Sequence, residues 1–249
     1  YLLHNKIDFS QPEVMHMKPE TRDKLAFDSK AVYYNPDPST KSINAPLYLS
    51  NNFQYDEEIY QNIVKGARIT ENIYGRCGNP NETLLQEQVA LLENADGCLA
   101  LGSGMAAVAT TCLALLRPGD HIVSDWTTYS STHEMFDHRL TDFGIETTFV
   151  DCNDIEAVEA AITKKTKVVY FETIANPNMR VTAIPPLVKL AHDNNLLVIC
   201  DNTFASPYVM RPLDWGVDIV VESATKFMGG HNDVLGAVSY THLTLPTKA

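Results

Sequence analysis

Leu196-Leu197-Val198-Ile199-Cys200-Asp201 is a run of five apolar residues that ends on a carboxylate. A run this short reads as a buried strand with Asp201 at its tip. Working upstream, residues 167–171 (Lys167-Val168-Val169-Tyr170-Phe171), 146–150 and 121–123 read as strands of the same kind. Downstream, residues 217–221 form another. Helical patterns near 132–143, 154–162 and 186–193 fall between them. Strands alternating with helices imply right-handed crossovers and an α/β fold with a mostly parallel sheet, both faces covered by helices. In such sheets ligands bind at the carboxyl ends of the strands, so the residues just after each apolar run are the candidates for chemistry.

Before this rhythm, residues 83–94 read as a helix with Leu84, Leu85, Val89 and Leu92 on one side. The first 66 residues are irregular and polar, and Asn35-Pro36-Asp37-Pro38-Ser39 breaks any element there. The expected organisation is an N-terminal arm over residues 1–65, a ligand-binding large domain over 66–238 and an extraneous tail over 239–249, where the rhythm stops without a closing element. The chain starts with Tyr1 and not Met, which is expected of a fragment at that end.

Composition sets limits on partners. The 249 residues carry a formal net charge of -12, which repels a phosphate backbone overall, so no nucleic-acid partner is expected. No apolar run has the length of a membrane span, and no membrane association is expected. Five cysteines, with no CxxC pair, argue against both a disulfide framework and a zinc site. Reduced thiols in a cytoplasmic protein without a metal are the expectation.

Four stretches carry candidate chemistry. Gly102-Ser103-Gly104-Met105 follows the apolar run 98–101 and opens a helix, where bare backbone N–H groups can face an anion. Close helix packing or a nucleotide-binding turn would explain the same glycines. Asp201 can cap a turn, or pair with a ligand cation, with Asn202, Thr203 and Phe204 lining the site. Ser223-Ala224-Thr225-Lys226 again follows a strand. Most lysines are solvated surface groups, but an ammonium in a semi-apolar cleft loses its proton readily and becomes a nucleophile for an aldehyde. Tyr74-Gly75-Arg76 lies in a glycine-punctuated stretch, where Arg can fork to a phosphate and Tyr can add a donor, or the stretch is a structural loop. Tyr129, after the strand that ends near Asp125, can stack on a flat ligand or serve in the core.

Taken together, Tyr74–Pro80, Gly102–Met105, Tyr129–Thr132, Glu172–Pro177, Asp201–Tyr208 and Ser223–Asp233 resemble, in order, the trans-sulfuration family of pyridoxal-phosphate (PLP) enzymes. That family includes cystathionine lyases, cystathionine gamma-synthase and methionine gamma-lyase. The resemblance implies the aspartate-aminotransferase-like fold (fold type I), with a seven-stranded sheet and a C-terminal small domain that this sequence lacks. It implies pyridoxal 5'-phosphate held on Lys226 as an internal aldimine. Asp201 would bind the pyridine nitrogen, Asn176 would lie near the ring hydroxyl, and Tyr129 would stack on the ring. Gly104, Met105, Thr203, Ser223 and Thr225 would complete the cofactor site, mostly around the phosphate. Tyr74 and Arg76 would reach the phosphate of a neighbouring subunit in a homotetramer built as a dimer of dimers. Lys226, Tyr129 and Asp201 would be catalytic.

The resemblance implies carbon–sulfur lyase activity, as gamma-elimination on cystathionine, homocysteine or methionine. Gamma-replacement, in the manner of cystathionine gamma-synthase or an O-acetylhomoserine sulfhydrylase, is the alternative. A non-catalytic nucleotide-binding α/β domain is the reading from another class; it explains the Gly102–Gly104 turn but not Asp201, Lys226 and Tyr129 at successive strand ends. Two departures bear on substrate. Ser130 and Ser131 follow Tyr129, where methionine gamma-lyases have Cys after Gly and cystathionine lyases have two glycines. The Arg that grips the substrate carboxylate, supplied in the family by the small domain, has no counterpart here.

Overall fold

The computed structural model of the chain describes residues 24–33, 42, 44–66 and 72–241. It divides into two compact units, Tyr1–Leu91 and Leu92–Ala249. The division falls inside a helix and not at the expected 65/66 boundary.

The first unit holds α1 (Phe27–Val32), α2 (Glu57–Val64) and most of α3 (Pro80–Glu93). The sequence reading expects an irregular segment where α1 and α2 lie. The start signal of α2 is present in the sequence, since the Asp56 side chain accepts the Ile59 N–H at 3.0 Å. An acidic cap followed by Glu57 and Glu58 suits the positive end of a helix. The segment carrying Tyr74 is tied to the strand-like stretch before α2: Phe53 N–H donates to Ile73 O (3.0 Å) and Gly75 N–H to Asn51 O (2.8 Å). The Asn35–Ser39 break lies outside the described residues.

In the second unit the elements run β1 (Gly97–Leu101), α4 (Gly104–Leu115), β2 (His121–Asp125) and α5 (Ser130–Glu134). A π-helical turn, Met135–Arg139, and α6 (Leu140–Asp142) continue α5. Then come β3 (Glu146–Val150), α7 (Ile155–Ala161), β4 (Thr166–Glu172), α8 (Ile184–Asp193), β5 (Leu197–Asp201) and α9 (Ser206–Val209). A short 3-10 turn, Pro212–Trp215, leads to β6 (Ile219–Glu222) and β7 (Ala237–Thr241).

The seven strands lie in the order β1-β7-β6-β5-β4-β2-β3. Strands β2 to β6 pair in parallel, and β7 runs antiparallel to both β1 and β6. The sheet is therefore mostly parallel, as the alternation of strands and helices predicts. Every residue of β2 and β6, and all but one of β4, is buried, which is why 168–171 and 219–221 read as continuous apolar runs and not as alternating ones. One helical layer packs Ala107, Val108 and Cys112 of α4, with Phe136 and Leu140, onto Ile122, Tyr170 and Val221 of the sheet. Burying an aromatic such as Phe136, fully inaccessible, contributes about 2–3 kcal/mol.

The chain end differs from expectation. Strand β7 continues through Val238 to Thr241, so the anticipated break at 238 falls inside a strand paired on both sides. Ser239, Tyr240 and Thr241 thus carry regular structure; the rest of the expected tail, residues 242–249, lies outside the described residues.

Candidate active site

A cavity of about 340 Å³ opens at the carboxyl ends of the parallel strands. It is the size of a small cofactor site. Each wall comes from a different strand end: Gly104 and Met105 after β1, Tyr129 after β2, Asn176 after β4, Asp201 and Thr203 at β5, and Ser223, Thr225 and Lys226 after β6. Nine of the eleven residues singled out from the sequence therefore line one space. The other two, Tyr74 and Arg76, belong to the first unit, where the Arg76 guanidinium lies 5.4 Å from the centre of the Tyr74 ring.

Asp201 forms the acidic wall. Its Oδ1 accepts the Thr203 N–H at 3.0 Å and its Oδ2 accepts the Tyr170 hydroxyl at 3.4 Å. Burial pushes its pKa up, while the Thr203 and Tyr170 hydrogen bonds oppose that shift. A buried carboxylate facing a cavity is best satisfied by a cation placed in that cavity.

The opposite requirement appears at α4. Ser103 caps the helix, accepting the Ala106 N–H on Oγ at 3.2 Å, and its carbonyl accepts the Ala107 N–H. The amides of Gly104 and Met105 precede these and have no partner within the helix. The helix dipole adds to their attraction for an anion. The chain is also close here: a Cβ on Gly104 would lie 3.1 Å from Ser223 Cβ, so only a residue without a side chain leaves Ser223 where it is. Ser223 is in turn fixed through its N–H to Thr203 Oγ1 (2.9 Å), and Thr225 exchanges hydrogen bonds with Gly236.

Lys226 follows in a tight turn whose carbonyl accepts the Gly230 N–H at 2.9 Å. Gly229 makes that turn possible, because a Cβ there would sit 2.5 Å from the Ala224 carbonyl oxygen. Lys226 lines the cavity but is exposed, not enclosed in the semi-apolar cleft that the neighbouring residues suggest. Among the described residues no carboxylate pairs with its ammonium.

Sequence reasoning singles out neither Tyr170 nor Glu172. Tyr170 is read only as a strand residue, and Glu172 appears only within a longer motif. In the structure Glu172 ends β4, directly across the ladder from Asp201, and lines the cavity. Burial, followed by the charge of Asp201, pushes the Glu172 carboxyl up to about 8. An acid at a strand tip was the available signal; the register that sets it beside Asp201 was not.

A flat, cationic ring bearing an anionic arm would fit this space, with its positive end towards Asp201 and its arm towards the α4 N-terminus. The fold and site together define a PLP-dependent enzyme of fold type I. The chain belongs to the family of Cys/Met metabolism PLP-dependent enzymes, which matches residues 29–245. An L-methionine gamma-lyase from Fusobacterium nucleatum subsp. nucleatum is 44% identical over 201 residues, covering 80% of this chain and 51% of that relative. The crystal structure of a cystathionine gamma-lyase from Lactobacillus plantarum, complexed with L-serine, superposes with a TM-score of 0.81 at 39% identity, over 88% of this chain and 55% of that one. A candidate O-acetylhomoserine (thiol)-lyase from Campylobacter jejuni superposes with a TM-score of 0.83 at 28% identity, over 88% of this chain and 54% of that one. Its crystal structure contains N'-pyridoxyl-lysine-5'-monophosphate. The chain spans about half the length of the relatives it matches.

Proposed function

We propose that the whole protein is a carbon–sulfur lyase of sulfur amino-acid metabolism, acting by gamma-elimination on cystathionine, homocysteine or methionine. The observation that carries the proposal is the pairing, in one cavity, of a half-buried acid at the tip of β5 with a lysine just past the tip of β6. Pyridoxal 5'-phosphate, when bound, supplies an electron sink for negative charge developing at the substrate α-carbon.

The chain's own residues would divide the remaining work. Asp201 would keep the cofactor's ring nitrogen protonated, because an anion beside it favours the charged form. Gly104 and Met105, through their amides, would hold the phosphate with Ser223, Thr225 and Thr203. Asn176 would lie by the ring hydroxyl and Tyr129 against the ring face. Lys226 Nζ would hold the cofactor covalently and, once displaced by the substrate's amino group, take the α-proton and return it. Tyr129 Oη would exchange a proton with the leaving sulfur.

Gamma-replacement is the second reading, favoured by the likeness to the candidate O-acetylhomoserine (thiol)-lyase. Tyr74 and Arg76 would complete the phosphate site of a neighbouring subunit in a cytoplasmic homotetramer. Sedimentation of the holoenzyme tests that assembly. Among the described residues no helix is long and apolar enough to cross a membrane.

The deciding experiment has two parts. Hydride reduction followed by mass spectrometry should find phosphopyridoxyl on Lys226; an unmodified Lys226 sinks the site assignment. Full-length protein is then given cystathionine, methionine or O-acetylhomoserine. Release of 2-oxobutanoate without added thiol marks a lyase, and an absolute need for thiol marks the replacement enzyme.

A further inference from the structure

Glu172 is buried in the cavity wall, and none of the roles above uses it. Its Oε1 accepts the backbone N–H of Tyr129, and the backbone amide of Asn176 lies close enough to the same carboxyl to favour its charged form. One side chain therefore joins two strand-end loops, each of which carries a residue facing the cavity.

The Tyr129 loop needs such a tie. Tyr129 is the N-cap of α5 with extended backbone, and its own side chain makes no capping bond. The first half of the loop is organised by Asp125, which accepts the Thr127 N–H at 2.7 Å and the Cys152 N–H at 3.0 Å. Arg180 Nη1 lies 3.7 Å from Asp125. Glu172 takes over where Asp125 stops. Tyr129 is 45% exposed, so packing alone does not fix its side chain.

We propose that Glu172 is a positioning residue for the reaction: by gripping the amides of Tyr129 and Asn176 it sets the Tyr129 ring and Asn176 against the cavity, and so the plane in which a flat aromatic cofactor lies. Burial and the charge of Asp201 push the carboxyl up to about 8, while the backbone amides of Tyr129 and Asn176 pull it down, so the grip on the loops and the charge of the group are linked. Glutamine has the same shape and the same acceptor, and should replace it.

The inference rests on the cofactor reading of the cavity, and the test separates the two. Full-length holoenzymes of the wild type, Glu172→Gln, Glu172→Ala, Tyr129→Ala and the Glu172→Ala/Tyr129→Ala pair are compared. The readouts are cofactor content, the cofactor's induced circular dichroism, and kcat and KM. Glu172→Ala should keep its cofactor, lose most of the induced dichroism and lose kcat by about 100-fold, the scale of a misplacement of about 1 Å. Glu172→Gln should stay within about threefold of the wild type. In the Tyr129→Ala background, Glu172→Ala should cost clearly less than it does alone, because the ring that Glu172 sets is gone and only its effect on Asn176 remains. Additive losses, or a Gln variant as impaired as the Ala variant, overturn the positioning role. A wild type without phosphopyridoxyl-Lys226 overturns the cofactor reading itself, and this role with it.

Discussion

Asp201 and Glu222 are acids at the ends of neighbouring parallel strands, the first half-buried and the second buried, and their surroundings answer them differently. Asp201 has an amide and a phenol on its oxygens and an open cavity before it. Glu222 does not line the cavity. It meets the Tyr240 hydroxyl (3.3 Å) and a second buried acid, Glu93. Three oxygens of this pair, both of Glu93 and Oε1 of Glu222, have no donor among the described residues. Burial pushes both carboxyls up, Glu93 to about 7. Two adjacent buried carboxylates cannot both ionise without strong repulsion, so a proton belongs between them. The first acid is arranged for a cation from outside, whereas the second is neutralised from within.

The largest expected effect separates the two acids by function. Asp201→Asn should cost about 100- to 1000-fold in kcat, since a preorganised charge contact at a reacting group is typically worth ~3–4 kcal/mol. Glu222→Gln should leave kcat within about threefold while its amide supplies the missing donor. Steady-state rates on the full-length holoenzymes check both. Equal losses for the two variants would erase the distinction between them.

The next effect is on stability. The Glu93 carboxyl is raised in the folded protein, so the fold holds more protons than the unfolded chain between about pH 4.5 and 7. Its contribution is fully present below the unfolded value and is lost as pH rises through the folded one. Glu93→Gln should therefore be more stable than the wild type at about pH 8, by about 3 kcal/mol, and nearly equal to it at about pH 4.5. Glu172, raised to about 8, contributes a slope of the same sign, so the variant's profile flattens without becoming level. Urea midpoints of apo-protein across this range decide the matter, and a variant with the wild-type slope would show that Glu93 is not the proton's holder.

How much of this was legible in the sequence follows from what each feature depends on. The parallel strands lie within two or three residues of their expected bounds, because strands buried on both faces need unbroken apolar runs. Asp201 and Lys226 stand out because they directly follow such runs. Glu172 opposite Asp201 depends on ladder register, and Glu93 beside Glu222 depends on where a helix end meets a strand 129 positions later. Neither distance is written in local pattern. Helix α2 was hidden for another reason: it spans only eight residues, about two turns, so its apolar stripe of Ile59, Tyr60, Ile63 and Val64 is lost in a polar stretch, despite the Asp56 cap. Strand β7 was not foreseen, because the rhythm of strands and helices stops past Val238; the structure buries Tyr240 against the acid pair and pairs Ser239, Tyr240 and Thr241 on both sides.

The smallest effect tests the cavity's other pole. Gly104 opens α4, where alanine is the better helix former by about 1 kcal/mol. Its φ is not in the left-handed region, so the substitution meets no backbone penalty. The added Cβ would nevertheless stand 3.1 Å from Ser223 Cβ and 3.3 Å from its Oγ, tighter than an ordinary contact. Ser223 is anchored through its backbone to Thr203, so the displacement would fall on the space beside the α4 amides. Gly104→Ala should thus leave the apo-protein as stable as the wild type, or slightly more so, while weakening cofactor binding by about tenfold. Denaturant midpoints without cofactor and spectroscopic titration with it give the two numbers. A variant that gains stability and binds the cofactor as tightly as before would show that the close approach of α4 to Ser223 is packing alone, with the anion held elsewhere.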